Sequence, residues 1–495
     1  MEVQFEQDTL RYLCSKAWGI KTLEETGEIR LAEQEKASDE ILGAWGQPIL
    51  LEKEWSSGSV SVSGGVNVWV LLRGQDGGVQ CVDGWIPFRQ TWELHDSKRD
   101  GALNAQCALE AIDARMTGAG KLIVTVRLRA ELRALEPCAV QQYKPGHLPE
   151  DIYTLQQTEL MCLPVEAGEK RTSLTENVNF SPANSGFARV LFYRMHPEVY
   201  ERRIMGDKLV FRGAVKLRLV YMEQDGQIAA LDEEFPISQY VQLDGEYASE
   251  AFAHILPVVT AAEAGRDDEG KLVVHCDTLW QYEILDRVPV SFVQDAYSNA
   301  RSLDLTFCQL SLPNAGTWKE ETCTIERELP FITSHIVDCD LMVYTSVDEK
   351  SGKLQTSGSV RILYYDENDV LKSGIIPVSS EEQLPQLDSV SAHCIQRQAP
   401  SVDCKMGGGR CTAYMTVPYA LCSTEEIVIK WCTAIHAEDE QHKRDDRPSV
   451  ILRRVDEHQL WCLAKACGSS EKAIRQANEI AGELLSGKML LIPVE

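Results

Sequence analysis

GAVKLRLVYMEQDGQIAALDEEFPI, residues 213–237, opens on a glycine and alternates apolar and polar side chains through Val215, Leu217 and Leu219. A period of two is that of a strand with one buried face. The Gln-Asp-Gly of 224–226 supplies the positive φ that a tight hairpin turn needs. A second run follows and closes at Pro236, whose missing N–H predicts that the strand stops there or lies at an edge.

The same pattern occurs twice more, in GGVNVWVLLRGQDGGVQCVDGWIPF (64–88) and GSVRILYYDENDVLKSGIIPV (358–378). Gly64 to Pro87 and Gly213 to Pro236 each span 23 positions, and Gly358 to Pro377 spans 19, so the third hairpin is shorter. The repeat predicts that Gly64, Gly213 and Gly358 occupy equivalent strand starts and that Pro87, Pro236 and Pro377 occupy equivalent strand ends. A second set of strand-like runs, KLIVTVRLRAEL (121–132), KLVVHCDTLWQYEIL (271–285) and RCTAYMTVPYAL (410–421), begins 34, 35 and 33 positions after those prolines.

These repeats predict a mainly β protein of three tandem β-sandwich or barrel-like domains, 1–150, 151–300 and 301–436. Gly-Pro-rich or charged junctions at 143–151, 295–302 and 436–449 set the boundaries, with 437–448 as a linker. Two stretches, 39–45 and LNAQCALEAIDARM from Leu103 to Met116, have helical composition and are expected as helices within the first domain.

Composition narrows the function classes. The chain has 495 residues, with 75 acidic against 49 basic side chains and a net charge of −26, which repels nucleic acid in the absence of a basic patch. No apolar run approaches the ~20 residues of a membrane helix. The N-terminus lacks the basic and apolar regions of a secretory signal, so the expected location is the cytoplasm. Sixteen cysteines spread from Cys14 to Cys467 without a CxxC pair. Cys81, Cys276, Cys411, Cys432 and Cys462 lie in apolar contexts, and reduced thiols are expected.

Residues 449–495 break the β pattern. VILRRV reads as a strand, HQLWCLAKAC as a helix stopped by Gly468, SSEKAIRQANEI as a Ser-capped helix and KMLLIPV as a return strand. This small βααβ module resembles a LysM domain in its Leu460-Trp461 pair, in Leu463 and Ala464, in the Ala-Ile-x-x-Ala-Asn run ending at Asn478, in Gly487, and in the Leu-Ile-Pro at 491–493. The resemblance implies a shallow groove for N-acetylglucosamine polymers, formed here by Glu457, His458, Gln459, Leu460, Asn478, Glu479, Ile480 and Leu484. LysM domains commonly have Gly-Asp-Thr before the Leu-Trp pair. Glu457, His458 and Gln459 replace it with bulkier groups and a carboxylate, which favours a protein ligand over peptidoglycan or a chitin-like glycan. Asn478 also has the simpler reading of a cap for the loop after the second helix.

The tandem hairpins, with their Gly-Val-x-Val opening, acidic turn and Pro-Phe or Pro-Ile ending, resemble SPOCS domains, the spore coat assembly repeats of endospore-forming Firmicutes. Together with a LysM module they resemble clostridial coat morphogenesis proteins. That implies a scaffold made in the mother-cell cytoplasm, docking at the forespore surface or spore coat onto a coat morphogenetic protein, the coat-basement ATPase. Peptidoglycan binding in the wall or cortex is the alternative function, and wall hydrolysis a second. No HExxH, GxSxG or framed phosphate loop occurs, and Gly407–Gly409 read as a turn, so neither catalysis nor a cofactor or metal is expected.

Overall fold

The structure is a computed structural model, and it describes all residues except 1, 4, 33–37, 96–100, 118–119, 147, 179–186, 268–269, 349–350, 384–390, 397–399, 408–409, 439–447, 455–459, 481–488 and 495. A short β1 (Glu2–Val3) is followed by one path taken three times: a long strand, a three-stranded meander, a returning strand and a second long strand. In the first unit these are β2 (Phe5–Arg30), β3 (Ser38–Ser56), β4 (Ser59–Gly74), β5 (Val79–Glu93), β6 (Ala102–Thr117) and β7 (Lys121–Pro145). They form two antiparallel sheets, ordered β3-β4-β5 and β2-β7-β6.

The second unit comprises β8 (Ile152–Asn177), β9 (Phe187–Glu223), β10 (Ile228–Tyr247), β11 (Phe252–Arg266) and β12 (Leu272–Ser298). Strand β9 serves as two, because its halves lie side by side on either side of Gly206 (φ +64°) and are joined by a 2.7 Å Lys216–Glu198 ion pair. The third unit has β13 (Leu303–Glu328), β14 (His335–Asp348), β15 (Lys353–Tyr365), β16 (Leu371–Gln383), β17 (Ser391–Gln396), β18 (Ser401–Gly407) and β19 (Arg410–Ala437). Here two short strands, β17 and β18, stand on β19 where the other units have a single returning strand.

The repeat is in register at the residue level. Pro87 faces Gly65, Pro236 faces Ala214 and Pro377 faces Ser359, each one position past the repeat glycine. The prolines do not end their strands, since β5, β10 and β16 run on to Glu93, Tyr247 and Gln383. They are tolerated because, among the described residues, each of these strands has ladder bonds on one side only, which leaves the missing donor at an edge. The glycines, likewise, are not strand starts. A Cβ would stand 2.0 Å from the Ile49 carbonyl oxygen at Gly64, 1.8 Å from that of Glu198 at Gly213 and 2.1 Å from that of Met342 at Gly358. Close backbone approach, rather than strand initiation, is what requires glycine at these positions.

Strand β4 is buried on both faces. Val60, Val62, Val66, Val68 and Val70 pack in the first unit's core against Leu122, Val124, Val126 and Leu128 of β7. Trp69 and Leu71 point the other way and join Phe192, Tyr193, Leu217 and Leu219 of the second unit. Trp45 stacks on Phe192 at 4.5 Å across that boundary, and Trp69 lies 4.7 Å from Tyr193. At the far ends of the long strands Leu10, Met161, Leu163, Phe292, Leu312 and Trp431 form a cluster drawn from all three units.

Two expectations are corrected. The stretches read as helices are strands, 39–45 within β3 and Leu103–Met116 within β6. In β6 the Ala- and Leu-rich composition is overridden by fifteen residues paired along β7, from Ala102 opposite Leu135 to Thr117 opposite Lys121, with Leu103, Ala105 and Ile112 buried. The cysteines are not all reduced, because Cys14 and Cys138 form a disulfide between β2 and β7. Nothing local signals it, since the strand register brings together residues 124 positions apart.

Gly213→Ala should lower stability by about 2 kcal/mol, whereas Gly265→Ala, where an added Cβ meets nothing within 4 Å, should be neutral in the same thermal melts. Reducing the Cys14–Cys138 bond opens a long loop and should cost about 3 kcal/mol, read as a lower melting temperature in dithiothreitol that the Cys14→Ser variant reproduces without reductant.

Candidate functional site

The C-terminal module is built from β20 (Val450–Arg454), α1 (Leu460–Cys467), α2 (Glu471–Ala477) and β21 (Met489–Pro493), with β20 and β21 antiparallel. Ser470 caps α2 by accepting a hydrogen bond from the Ala473 amide, as its position before the helix predicts. Leu460, Ala464, Cys467, Ile474, Leu490 and Ile492 make a small core.

Of the groove residues expected from sequence, Glu457, His458, Gln459 and Leu484 lie outside the described residues. Leu460 is buried in the core. Asn478 donates to the carbonyls of Ile474 (2.7 Å) and Leu491 (2.6 Å) and accepts from the Leu491 amide (2.8 Å), so its side chain fastens the end of α2 to the outer edge of β21. Glu479 is exposed in the left-handed region at φ 51°, and Ile480 is half-buried against the core.

The module is seated on the end of the second unit. Asp295 of β12 accepts from the Trp461 indole at 2.9 Å and from the Lys465 ammonium at 2.8 Å. Tyr297 packs edge-on to Trp461 at 4.8 Å, donates to the Ser469 carbonyl at 2.8 Å and stacks on Tyr153 at 5.1 Å. Burial pushes the Asp295 carboxyl up, but the Lys465 and Trp461 hydrogen bonds outweigh it and hold the group below its ordinary value. Sequence alone marks Trp461 but not its partner, because Asp295 and Trp461 are 166 residues apart.

A second concave site lies where the three units meet. A cavity of about 170 Å³ is walled by Gln47, Met195, His196, Asp340 and Pro400 among others. Burial, with the nearby charges of Arg194 and Lys216, pushes the His196 imidazole down to about 4, so it is neutral at physiological pH. Burial pushes the Asp340 carboxyl up against the attraction of Arg194. Among the described residues no group of three or more His, Cys, Asp or Glu side chains is arranged to hold a metal. No described helix is long and apolar enough to cross a membrane.

Residues 188–255 match the family model described as SipL, SPOCS domain. The match spans nearly all of β9, all of β10 and the first residues of β11, which is the meander of the second unit together with its turn into the returning strand. The chain therefore contains a SPOCS domain, and that domain marks it as a sporulation-related protein. No curated protein matches the chain.

The low-lying Asp295 carboxyl predicts how the seat responds to acid. A depressed carboxyl contributes stability that is complete above its unfolded value, near 3.8, and is lost as pH falls through the folded value. The protection factors of the α1 amides, taken against the intrinsic exchange rate at each pH, should therefore stay high from neutral pH to about 4 and fall below that. Asp295→Asn should give the lower protection already at pH 7, with the melting of the β units unchanged.

Proposed function

We propose that this chain is a non-enzymatic scaffold of spore coat assembly, resident in the mother-cell cytoplasm and docked at the forespore surface. Its C-terminal LysM-like module is the docking element, and a coat morphogenetic protein, the coat-basement ATPase, is the partner. The observation that carries this reading is the outer face of the β20–β21 sheet. Val450, Leu452, Met489 and Leu491 are 46–60% exposed there, four large apolar side chains on a two-stranded sheet, with Leu452 directly opposite Leu491. Single exposed leucines are ordinary on protein surfaces, but a contiguous patch is the signature of a face that a partner covers.

Charge refines the partner. Arg454, opposite Met489, is exposed on the patch's own face in a chain of net charge −26. An apolar surface with a carboxylate at its rim complements it. A glycan fits less well, because Leu460 is buried and the Asn478 amide is committed to backbone groups, which leaves fewer free donors in the expected groove.

The test uses the full chain and the purified ATPase. A Leu452→Ser, Leu491→Ser double variant should weaken capture at least about tenfold, the loss of one to two kcal/mol expected for two apolar contacts. Its thermal melt should be that of the parent. Undiminished capture would overturn the assignment of this face as the docking surface, and micromolar binding of chitin oligomers by the parent chain would overturn the docking reading in favour of a wall glycan.

A further inference from the structure

In the third unit the seam between the two sheets differs from that in the others. The returning strands β6 and β11 are continuous and run beside β3 and β9 respectively, whereas β14 lies beside the two short strands β17 and β18. Cys339 of β14 and Cys404 of β18 face each other across this seam with their sulfurs 3.3 Å apart. A disulfide bond is about 2.05 Å long, so closure asks for a sulfur displacement of only about 1.2 Å. Cys411 of β19, almost fully buried, completes a trio through a hydrogen bond with Cys404.

Cys339 and Cys404 also have access to solvent. They stand in the wall of a polar cleft of about 680 Å³ between the second and third units, lined as well by Arg218, Asp232 and Asp403. The two thiols are unequal. The hydrogen bond from Cys339 holds the Cys404 thiol below the usual range, while that contact and burial push the Cys339 thiol up. One thiol is thus prepared to attack and the other to resolve.

We infer that Cys339 and Cys404 form a thiol–disulfide exchange site that takes low-molecular-weight disulfides and closes the seam of the third unit with a covalent bond. The Cys404 thiolate attacks one sulfur of the small disulfide, forming a mixed disulfide and expelling one small thiolate, which takes up a proton. Cys339 then gives up its proton, attacks the Cys404 sulfur and expels the second small thiol. The protein is oxidised by two electrons and the small disulfide is reduced to two thiols. The product joins β14 of the meander sheet to β18 of the long-strand sheet, between residues 65 positions apart.

Oxidised glutathione is the probe, added to the full chain at neutral pH, with alkylation and peptide mass mapping as the readout. The expected result is a linked pair of peptides containing Cys339 and Cys404, with alkylation of both falling at least about tenfold. Cys339→Ser should trap glutathione on Cys404, and Cys404→Ser should leave Cys339 free. Cys411→Ser should retain the link, and parent-like thermal melts establish that each variant folds. Unchanged alkylation of Cys339 and Cys404 under conditions that place glutathione on the exposed Cys462 would overturn the inference. So would a link from Cys404 to Cys411 instead.

Discussion

A strand edge that ends inside a protein must find donors and acceptors other than water, and the meeting of the three units depends on that constraint. Among the described residues, the short pairing of β1 with β19 apart, their sheets pack against one another without joining into a continuous ladder, so backbone N–H and C=O groups at the centre would be stranded at about 1–3 kcal/mol each. Buried side chains from neighbouring units meet them. The Gln281 amide of β12, fully buried, accepts from the Ala105 N–H and donates to the Ala105 carbonyl, both at 2.8 Å, and so stands in for a neighbouring strand on β6. Gln47 accepts from the Met195 amide at 2.8 Å, and Arg361 donates to the carbonyls of Ala44 and Ile112. First unit meets second, second meets first, and third meets first by the same device.

Charge is buried at the same boundaries. Arg194 of β9 makes a bidentate pair with Asp338 of β14 at 2.9 and 3.0 Å, and Arg218 adds a third bond to that carboxylate at 2.9 Å. Burial alone would raise the Asp338 carboxyl, yet the two guanidinium groups hold it below its ordinary value. Arg133 and Glu283 join β7 to β12 at 2.7 Å. Such pairs add little over an apolar core of the same shape, but removing one partner strands the other charge at about 3–5 kcal/mol. Their effect is therefore on specificity: a neighbour placed in the wrong register leaves a buried charge without its partner.

How much of this is legible in the sequence depends on range. The alternation through Val66, Val68 and Val70, the Asp-Gly turns and the glycine-to-proline spacing are local, and they foretell the meanders and their common register. The role of the repeat glycines is not local, because the carbonyls of Ile49, Glu198 and Met342 that exclude a side chain belong to adjacent strands. Strand β6 escapes a local reading for the same reason: Ala and Leu at 103–116 favour a helix until β7 offers a ladder. The module at 449–495 shows both cases. Its elements and the Ser470 cap follow from spacing and capping chemistry, but whether Asn478 faces a ligand or the backbone depends on β21, thirteen residues on.

The seating of that module bears on how a scaffold can use it. The polar flank of α1 is occupied, since Trp461 and Lys465 are held by Asp295 and Tyr297 of the second unit. The inner face of its sheet is occupied too, by Leu490 and Ile492 against the helices. The apolar side bearing Leu452 and Leu491 remains outward, and β20 has no ladder partner but β21 among the described residues. A module free on a tether could present any face, and ordering it on binding would cost affinity. Fixed by the Asp295 seat, it offers one face in one orientation relative to the repeats. On the proposed docking function, a partner bound to that face would be positioned against the whole β body rather than merely held near it.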